Sequence, residues 1–310
     1  MSTPKLILVI GATGAQGLAV IDALLAPDAS GKPTPYSVRA LTRDRAGQRA
    51  LELSARGVEC VKGMFCGRTM KPLFIPFIPQ AHSRTKTGFK PEYKAAHMTG
   101  KGLVAEWLHG QTSSVSKDGL TWTIVETLPY TDMLACGLFE PLNVRADGTV
   151  VFAAPAGHAK FPLVTLKDIG WWARYTFDHR TETSGRDLSI ASHVVSWDEI
   201  AKTFTKVTGK PAVYKAQSVE EWWNNFGEGV NRPYGSGSMT VKENFSGFWK
   251  VFGDELVPRD MEWIRSVHPG TQTLEDWMRD NNYTGSEGTI LKGREDHGDW
   301  GLNEEVTKKL

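Results

Sequence analysis

The chain has 310 residues and carries 36 Lys and Arg against 35 Asp and Glu, so its formal net charge is +1. This length allows about two domains, and the charge balance excludes long-range attraction to nucleic acid or to an anionic membrane. Three cysteines exclude a disulfide framework, and no apolar run approaches the ~20 residues of a membrane helix. We therefore expect a cytoplasmic protein, with the nucleus as a second location to consider, that has no nucleic-acid partner, no membrane partner and no bound metal.

The first 63 residues alternate between strand and helix patterns. Residues 6–10 form an unbroken apolar run that stops at glycine, which predicts a strand buried on both faces of a parallel sheet. Apolar residues at helical spacing follow over 17–26. Further strand, helix and strand patterns cover 37–42, 45–55 and 58–62. This order predicts an α/β fold with a doubly wound parallel sheet.

A glycine-rich turn lies between the first strand pattern and the first helix pattern. Its glycines have the spacing G-x-x-G-x-x-G, which lets the backbone approach a pyrophosphate at the positive end of a helix. A plain glycine turn without a ligand is the alternative. The predicted nucleotide-binding residues of this turn are Gly11, Ala12, Thr13, Gly14, Ala15, Gln16 and Gly17.

The residues after the second strand decide between NADP(H) and NAD(H). Arg43 comes first after that strand and Arg45 supplies a second cation, and both suit the 2′-phosphate of NADP(H). This pattern favours NADP(H). In the alternative, the two arginines are solvated and Asp44 binds a ribose hydroxyl of NAD(H).

The regular pattern breaks after Gly63. From residue 60 to residue 91 there is no Asp or Glu, whereas six Lys or Arg and four Pro occur. Only 37 residues, 64–100, separate Gly63 from Lys101, and one βαβ unit alone takes ~30. The sheet is therefore expected to be shortened, with residues 64–95 irregular or aberrant. Three explanations stay open: an error in the assembled gene sequence, a genuinely shortened domain, and a basic loop for an anionic partner.

The rest of the chain predicts a second, smaller α+β domain. A helix beginning near residue 103 is expected to bury Val104, Trp107 and Leu108 on one face. Ser196 and Ser218 each precede a Glu by three residues, which predicts two helices that open with capping boxes.

These patterns predict two domains and a tail. The first domain covers 1–127, a smaller substrate or partner domain covers 128–283, and the polar residues 284–310 indicate a flexible tail. Nine of the eleven Trp lie beyond residue 170. Such a ring-rich half favours a mixed aromatic core over an aromatic substrate pocket.

Several segments together resemble the NmrA-like family of atypical short-chain dehydrogenases. They are GATGAQGLAVIDALL (11–25), VRALTRD (38–44) and GVECVKG (57–63). Downstream, residues 97–106 resemble the family's HFxGKGxxE segment, residues 128–133 its loop over the nicotinamide, and residues 273–277 its closing helix. The resemblance covers most of residues 5–283, apart from about 64–95.

The resemblance implies a Rossmann-type domain that binds NADP(H), joined to a smaller domain. Residues 11–16 would then hold the pyrophosphate, and Lys101 would bind the nicotinamide ribose and serve as the catalytic residue. The implied 2′-phosphate contacts are Arg43, Asp44, Arg45, Ala46 and Gly47. The implied contacts on the nicotinamide side are Tyr130, Thr131, Asp132 and Met133.

The Tyr-x-x-x-Lys pair of typical short-chain dehydrogenases is missing, because none of the seven tyrosines precedes a lysine by four residues. Reductases that resemble this family use the lysine alone, and His97 is a candidate general acid or a satisfied structural histidine. We favour an NADP(H)-dependent oxidoreductase that acts on an apolar small-molecule substrate. The alternative is a non-catalytic NADPH/NADP redox sensor that binds a regulatory partner protein. The oligomeric state stays open.

Overall fold

The computed structural model describes residues 4–28, 30–63, 90–116, 119–135, 138–235, 237–286, 291 and 300–310. Most of the segment predicted to be irregular, residues 64–89, therefore lies outside the described residues. The chain divides into two compact units that are each discontinuous in sequence. The first unit comprises Met1–Ile75, Thr112–Thr123 and Leu166–Asp187, and the second comprises Pro76–Gln111, Ile124–Thr165 and Leu188–Leu310. The predicted domain boundaries at residues 127 and 283 stay a prediction.

Strands and helices alternate along the described chain. The strands are β1 (Lys5–Ile10), β2 (Tyr36–Thr42), β3 (Glu59–Lys62), β4 (Thr123–Glu126), β5 (Asn143–Val144), β6 (Val150–Ala154), β7 (Phe161–Leu163), β8 (Arg186–Ser189), β9 (His193–Val195) and β10 (Ala212–Ala216). The helices are α1 (Ala15–Leu25), α2 (Gln48–Ala55), α3 (Ala96–His109), α4 (Leu166–Asp178), α5 (Arg180–Thr183), α6 (Trp197–Thr208), α7 (Val219–Trp223), α8 (Val241–Gly253), α9 (Met261–Val267), α10 (Leu274–Asp280) and α11 (Glu304–Thr307). Within the described ranges, no helix is both long enough and apolar enough to cross a membrane.

The first unit contains a parallel sheet in the order β1-β2-β3, with α1 and α2 as the crossover helices. In the register, Ile10 lies opposite Leu41, so the carboxyl ends of β1 and β2 are adjacent. Helix α4 packs against α1 at Gly170, where a Cβ would lie only 3.0 Å from the carbonyl carbon of Ala19. The predicted Rossmann-type parallel α/β arrangement is confirmed.

The prediction that β1 is buried on both faces is wrong. Val9 is buried, but Leu6 and Ile10, which share the opposite face, are 53% and 45% exposed. A complete doubly wound sheet covers both faces with helices. The exposure of this face agrees with the shortened chain length between Gly63 and Lys101.

The second unit contains a sheet in the order β10-β6-β5, and β7 pairs antiparallel with β9. Its core consists largely of aromatic rings. Trp197, Trp222 and Trp249 are each under 2% exposed, and the ring centroids of Trp222 and Trp249 lie 5.0 Å apart. The predicted ring-rich core is therefore confirmed.

The predicted capping boxes are both present. At the start of α6 the Glu199 carboxylate accepts the backbone N–H of Ser196 (2.7 Å), and the Ser196 hydroxyl accepts the backbone N–H of Glu199 (3.2 Å). Ser218 and Glu221 make the same exchange at the start of α7. Reciprocal bonds of this kind satisfy two backbone donors that the helix itself leaves unpaired.

The prediction for the buried face of α3 is wrong in part. Leu108 is buried, but Trp107 is 59% and Val104 39% exposed. The buried face consists of Met98, Gly102, Ala105 and Leu108. Small residues on this face let α3 lie close to its neighbours, so that its bulkiest apolar side chain is left outside.

The prediction of an unpacked tail is wrong for residues 300–310. The ring centroid of Trp300 lies 5.2 Å from that of Phe245, and the side chain of Arg145 donates to the carbonyl oxygen of Leu310, with Nε at 3.0 Å. Leu310 is 6% exposed. The residues that hold this segment are far apart in the sequence and do not raise its local hydropathy. Composition alone therefore predicts disorder. Residues 287–290 and 292–299 lie outside the described part of the tail.

Candidate functional site

The predicted glycine turn connects β1 to α1 in the first unit. Gly11 has a φ of +68°, and the N–H of Gly14 closes the turn on the carbonyl of Gly11 at 2.9 Å. No side chain caps the N-terminus of α1, and its first turn holds no acidic residue. The positive end of this 11-residue helix is therefore compatible with an anion.

Gly17 brings the start of α1 against the turn. A Cβ at this position would lie 2.7 Å from the Cα of Ala12 and 2.9 Å from the carbonyl carbon of Gly11. Real Cβ atoms do not approach backbone this closely, so the contact requires glycine. This close packing of helix and strand is the role expected of the third glycine in a dinucleotide fingerprint.

The loop after β2 exposes its charged residues beside this turn. Arg43, Asp44 and Arg45 are all exposed. The Asp44 carboxylate accepts the N–H of Ala46 at 2.9 Å, so it stabilises the loop itself. This internal bond favours the two arginines over Asp44 as contacts for a ligand.

Arg49 on α2 is a residue of this region that the sequence argument missed. Its Nη1 donates to the carbonyl oxygen of Thr13 at 3.1 Å. The guanidinium therefore lies at the glycine turn. The sequence contained an indication of this, since Arg49 follows Arg45 by four positions.

Lys101 and His97 occupy successive turns of α3 in the second unit. Burial lowers the pKa of Lys101 to about 8. Burial also lowers the pKa of His97 to about 4, and the positive charge of Lys101 adds to that effect. At neutral pH, His97 is thus uncharged and Lys101 is a poorly solvated cation.

Aromatic rings surround the imidazole of His97. Its centroid lies 5.3 Å from that of Phe245 in a stacked geometry. The centroids of Phe248 and Tyr234 both lie 6.0 Å away. Burial among these rings keeps His97 uncharged at pH 7. It is therefore a structural histidine and not an acid that donates a proton at that pH.

Asn244 on α8 holds His97 in one orientation. Its Oδ1 lies 3.4 Å from the backbone N of His97 and 3.1 Å from the ring Nδ1. A backbone N–H can only donate, so the amide oxygen must face His97. The ring nitrogen that shares this oxygen must then donate as well. His97 is therefore the Nδ1–H tautomer, and its Nε2 is an acceptor.

The chain that enters α3 is held closely against α8. A Cβ on Gly247 would lie 2.8 Å from the carbonyl carbon of Lys94. The Tyr93 hydroxyl donates to the Asp254 carboxylate at 2.8 Å, and the Lys250 ammonium lies 5.4 Å from the centre of the Tyr93 ring. These contacts fix the position from which His97 and Lys101 project.

The predicted nicotinamide loop, residues 130–133, forms a short 3₁₀ turn whose polar residues are used in packing. The Thr131 hydroxyl lies 3.2 Å from the His193 Nε2, and the Trp277 indole N–H donates to the Asp132 carboxylate at 3.3 Å. Thr131 and Asp132 are both buried. Their side chains therefore stabilise the loop.

Tyr130 and Met133 are the residues of this loop that keep part of their surface exposed. Burial and the nearby Asp132 carboxylate raise the pKa of Tyr130, so its phenol stays protonated. A role of these two side chains on the nicotinamide side stays a prediction.

A sequence profile described as the NmrA-like family matches residues 3–70 and 113–278. The match covers more than half of the chain. The chain belongs to the NmrA-like family. The matched residues include the glycine turn and the loop at residues 130–133, whereas Lys101 lies between the two matched segments.

Solved structures of similar fold include both regulators and reductases. NmrA, a negative transcriptional regulator, is 16% identical, with 90% of this chain and 95% of NmrA covered and a TM-score of 0.62. The NADPH-dependent quinone oxidoreductase QOR2 from Escherichia coli, in complex with NADPH, is 17% identical over 89% of this chain and 99% of QOR2, with a TM-score of 0.60.

The triphenylmethane reductase of Citrobacter sp., in complex with NADP(H), is 19% identical over 89% of this chain and 99% of the reductase, with a TM-score of 0.58. A further crystal structure of NmrA contains NADP and has a TM-score of 0.56. Identities this low show a shared fold. Family members and neighbours thus have the fold that the described units show, and their activities differ.

Proposed function

We propose that this chain is an NADP(H)-dependent oxidoreductase that reduces a carbonyl or a conjugated bond of an apolar small molecule. The glycine turn carries the proposal, because Gly17 forces the close strand-to-helix contact that a dinucleotide fingerprint requires. Membership of the NmrA-like family supports it, as do the NADP(H) ligands of the structural neighbours.

The residues of the first unit fit the phosphates of NADP(H). A Cβ at Gly11 would meet no atom within 4 Å, so the turn is open on that side. The helix end beside it lacks a capping side chain and an acidic residue. Arg43 and Arg45 are exposed and can pair with a 2′-phosphate by charge-assisted hydrogen bonds.

The chemistry divides between the cofactor and Lys101. Bound NADPH would supply a hydride. The Lys101 ammonium would orient the nicotinamide ribose and donate a proton to the oxygen of the reduced acceptor. Its lowered pKa of about 8 favours this role, since the group is protonated at pH 7 yet gives up its proton more readily than an exposed lysine.

The second candidate is a regulator that senses NADPH and NADP without turnover. Two observations favour it: the missing Tyr-x-x-x-Lys pair, and the similarity in fold to NmrA. In that case nucleotide binding would stabilise one conformation and alter the affinity for a partner protein.

Turnover tests the proposal directly. We would follow the loss of NADPH absorbance with a quinone and with a triphenylmethane dye as acceptors. Steady turnover of either acceptor supports the oxidoreductase. Binding of NADPH without turnover supports the sensor, and a failure to bind NADPH contradicts both.

Two glycine variants make a matched pair for this experiment. Gly11 and Gly31 have φ angles of +68° and +81°, and a Cβ at either position would meet no atom within 4 Å. Gly11→Ala and Gly31→Ala therefore impose similar strain, of ~1–2 kcal/mol. Only Gly11→Ala should abolish NADPH binding, because only that methyl group would obstruct the phosphates.

A further inference from the structure

Lys101 is a half-buried lysine whose ammonium has no counter-ion within the described residues. The ammonium groups of Lys206, Lys250 and Lys308 each lie beside a carboxylate, which stabilises their charged form. Burial alone acts on Lys101 and favours its uncharged form. An amine with a free electron pair is a nucleophile, whereas an ammonium is not. Lys101 therefore has a larger nucleophilic fraction at neutral pH than the paired lysines.

The groups beside this amine are uncharged. Side chains of a helix lean towards its N-terminus, so the Lys101 amine lies near His97, one turn earlier on α3. The charge of Lys101 contributes to the lowered pKa of His97, which agrees with this proximity. Phe245 and Tyr234 in turn contact the His97 imidazole. A neutral imidazole and two rings suit an apolar group that is held at the amine.

The cluster is open to a small molecule. Lys101, His97, Phe245 and Tyr234 each keep part of their surface exposed. A ligand can therefore reach the amine from solvent and still contact the rings. This combination of a partly exposed amine and adjoining aromatic surface favours a reactive compound with an apolar end.

We propose that Lys101 is also a covalent binding site, at which its amine condenses with an apolar aldehyde to form an imine. The nitrogen electron pair bonds to the carbonyl carbon, and the carbonyl oxygen leaves as water with the two amine hydrogens. No oxidant, reductant or nucleotide takes part, so the proposal does not depend on the proposed reduction. In that reduction Lys101 acts as an ammonium, whereas the imine forms from its uncharged fraction.

Reductive trapping tests the proposal on the full chain in the absence of nucleotide. The probe is hydrocinnamaldehyde, a saturated aldehyde that cannot alkylate a thiol by conjugate addition. Sodium cyanoborohydride adds a hydride to the imine carbon, and a proton from water completes a stable secondary amine. Peptide mass spectrometry then compares the labelling rate of Lys101 with that of Lys202, an exposed lysine on α6.

In the folded wild type at neutral pH, Lys101 should be labelled roughly tenfold or more faster than Lys202, because more of it is uncharged. Urea removes the burial, so both lysines should then react at similar rates. Acetaldehyde has no ring to contact Phe245 and Tyr234, and it should show a smaller preference for Lys101. Lys101→Arg should remove the adduct at this position and leave the labelling of Lys202 unchanged.

Labelling of Lys101 that is no faster than that of Lys202 would overturn the proposal. A preference for Lys101 that persists in urea would also overturn it, since the folded surroundings would then play no part. Equal preferences with the two aldehydes would show that the rings do not select the ligand. If Lys101→Arg fails to fold, the peptide map of the wild type decides without it. Titration of the same wild-type preparation with NADPH judges the proposed function separately.

Discussion

Gly247 lies against the carbonyl group of Lys94, and a Cβ at Gly247 would come within 2.8 Å of the Lys94 carbonyl carbon. The neighbouring atoms are backbone, so they cannot yield as a flexible side chain would. This contact fixes the distance between α8, which carries Asn244, and the start of α3, which carries His97 and Lys101. One glycine thus sets the geometry of the candidate site.

We expect Gly247→Ala to destabilise the protein by about 2 kcal/mol or more, because the methyl group forces the two segments apart. The Asn244–His97 hydrogen bonds should weaken with it. Urea unfolding measures the loss of stability. Gly253→Ala at the end of the same helix is the control: its Cβ would lie 3.8 Å from the nearest atom, and it should change the free energy of unfolding by less than about 1 kcal/mol.

The lowered pKa of His97 predicts a pH-dependent stability. The unfolded chain binds a proton at this residue near pH 6.5, whereas the folded chain does so near pH 4. The free energy of unfolding should therefore fall as the pH drops from 6.5 towards 4, by up to ~1.4 kcal/mol per pH unit from this residue.

His97→Gln should flatten this dependence between pH 6.5 and pH 5, where carboxylates contribute less. His158 provides the control, because its side chain is 86% exposed. Chemical unfolding at several pH values measures how steeply the free energy of unfolding of each protein changes with pH. Equal slopes in wild type and His97→Gln would show that His97 titrates as an ordinary histidine.

We expect the desolvated Lys101 ammonium to lower the free energy of unfolding. Its ammonium has a pKa of about 8 in the folded state against 10.5 for an ordinary lysine, so wild-type stability should rise as the pH increases from 8 to 10.5. Lys101→Met removes the desolvated charge and should stabilise the protein at pH 7 by about 1–3 kcal/mol. Turnover of NADPH should be lost.

Lys202→Met, at an exposed position on α6, should change the free energy of unfolding by less than about 0.5 kcal/mol. Thermal unfolding and NADPH oxidation assays measure both effects on one sample. A destabilised Lys101→Met variant, or one that retains full turnover, would contradict the proposed role.

A fully buried ion pair involves the last residue of β4, Glu126. Arg259 Nη2 is 3.3 Å from the Glu126 carboxylate, and both side chains are 0% exposed. The Ser189 hydroxyl donates to the same carboxylate at 2.6 Å. Glu126→Gln leaves the arginine charge buried without its counter-ion and should cost about 3–5 kcal/mol.

The exposed pair of Arg39 and Glu59 gives a comparison within the same chain. Glu59→Gln should cost less than about 1 kcal/mol, because water and salt screen this pair. Equilibrium unfolding of both variants measures the difference. Similar losses in the two variants would mean that water reaches the pair at Glu126.

Local patterns predicted the parts of the fold that depend on neighbouring residues. The capping box of Ser196 and Glu199 spans three positions, and the glycine turn spans seven, so each could be identified from the sequence and is present in the structure. The exposed face of α3 could not be predicted in this way. The apolar character of Trp107 is the same whether its side chain lies in the core or faces outward, so the sequence does not decide between the two.

The candidate site depends on residues that are distant in the chain. Asn244 follows His97 by 147 positions, and no local pattern connects them. The packing of Trp300 against Phe245 likewise joins the polar tail to the core across a long stretch of sequence. Such contacts arise only when the folded backbone brings the segments together.

Titration with the two nicotinamide nucleotides tests the central claim most directly. Isothermal calorimetry would compare NADPH with NADH on the wild type, on Arg43→Ser and on Arg39→Ser, a control that removes an exposed arginine of β2. We predict tighter binding of NADPH than of NADH. Arg43→Ser should weaken NADPH binding roughly 10- to 100-fold, and Arg39→Ser should not. If neither nucleotide binds the wild type, the glycine turn does not form a nucleotide site and the account is wrong.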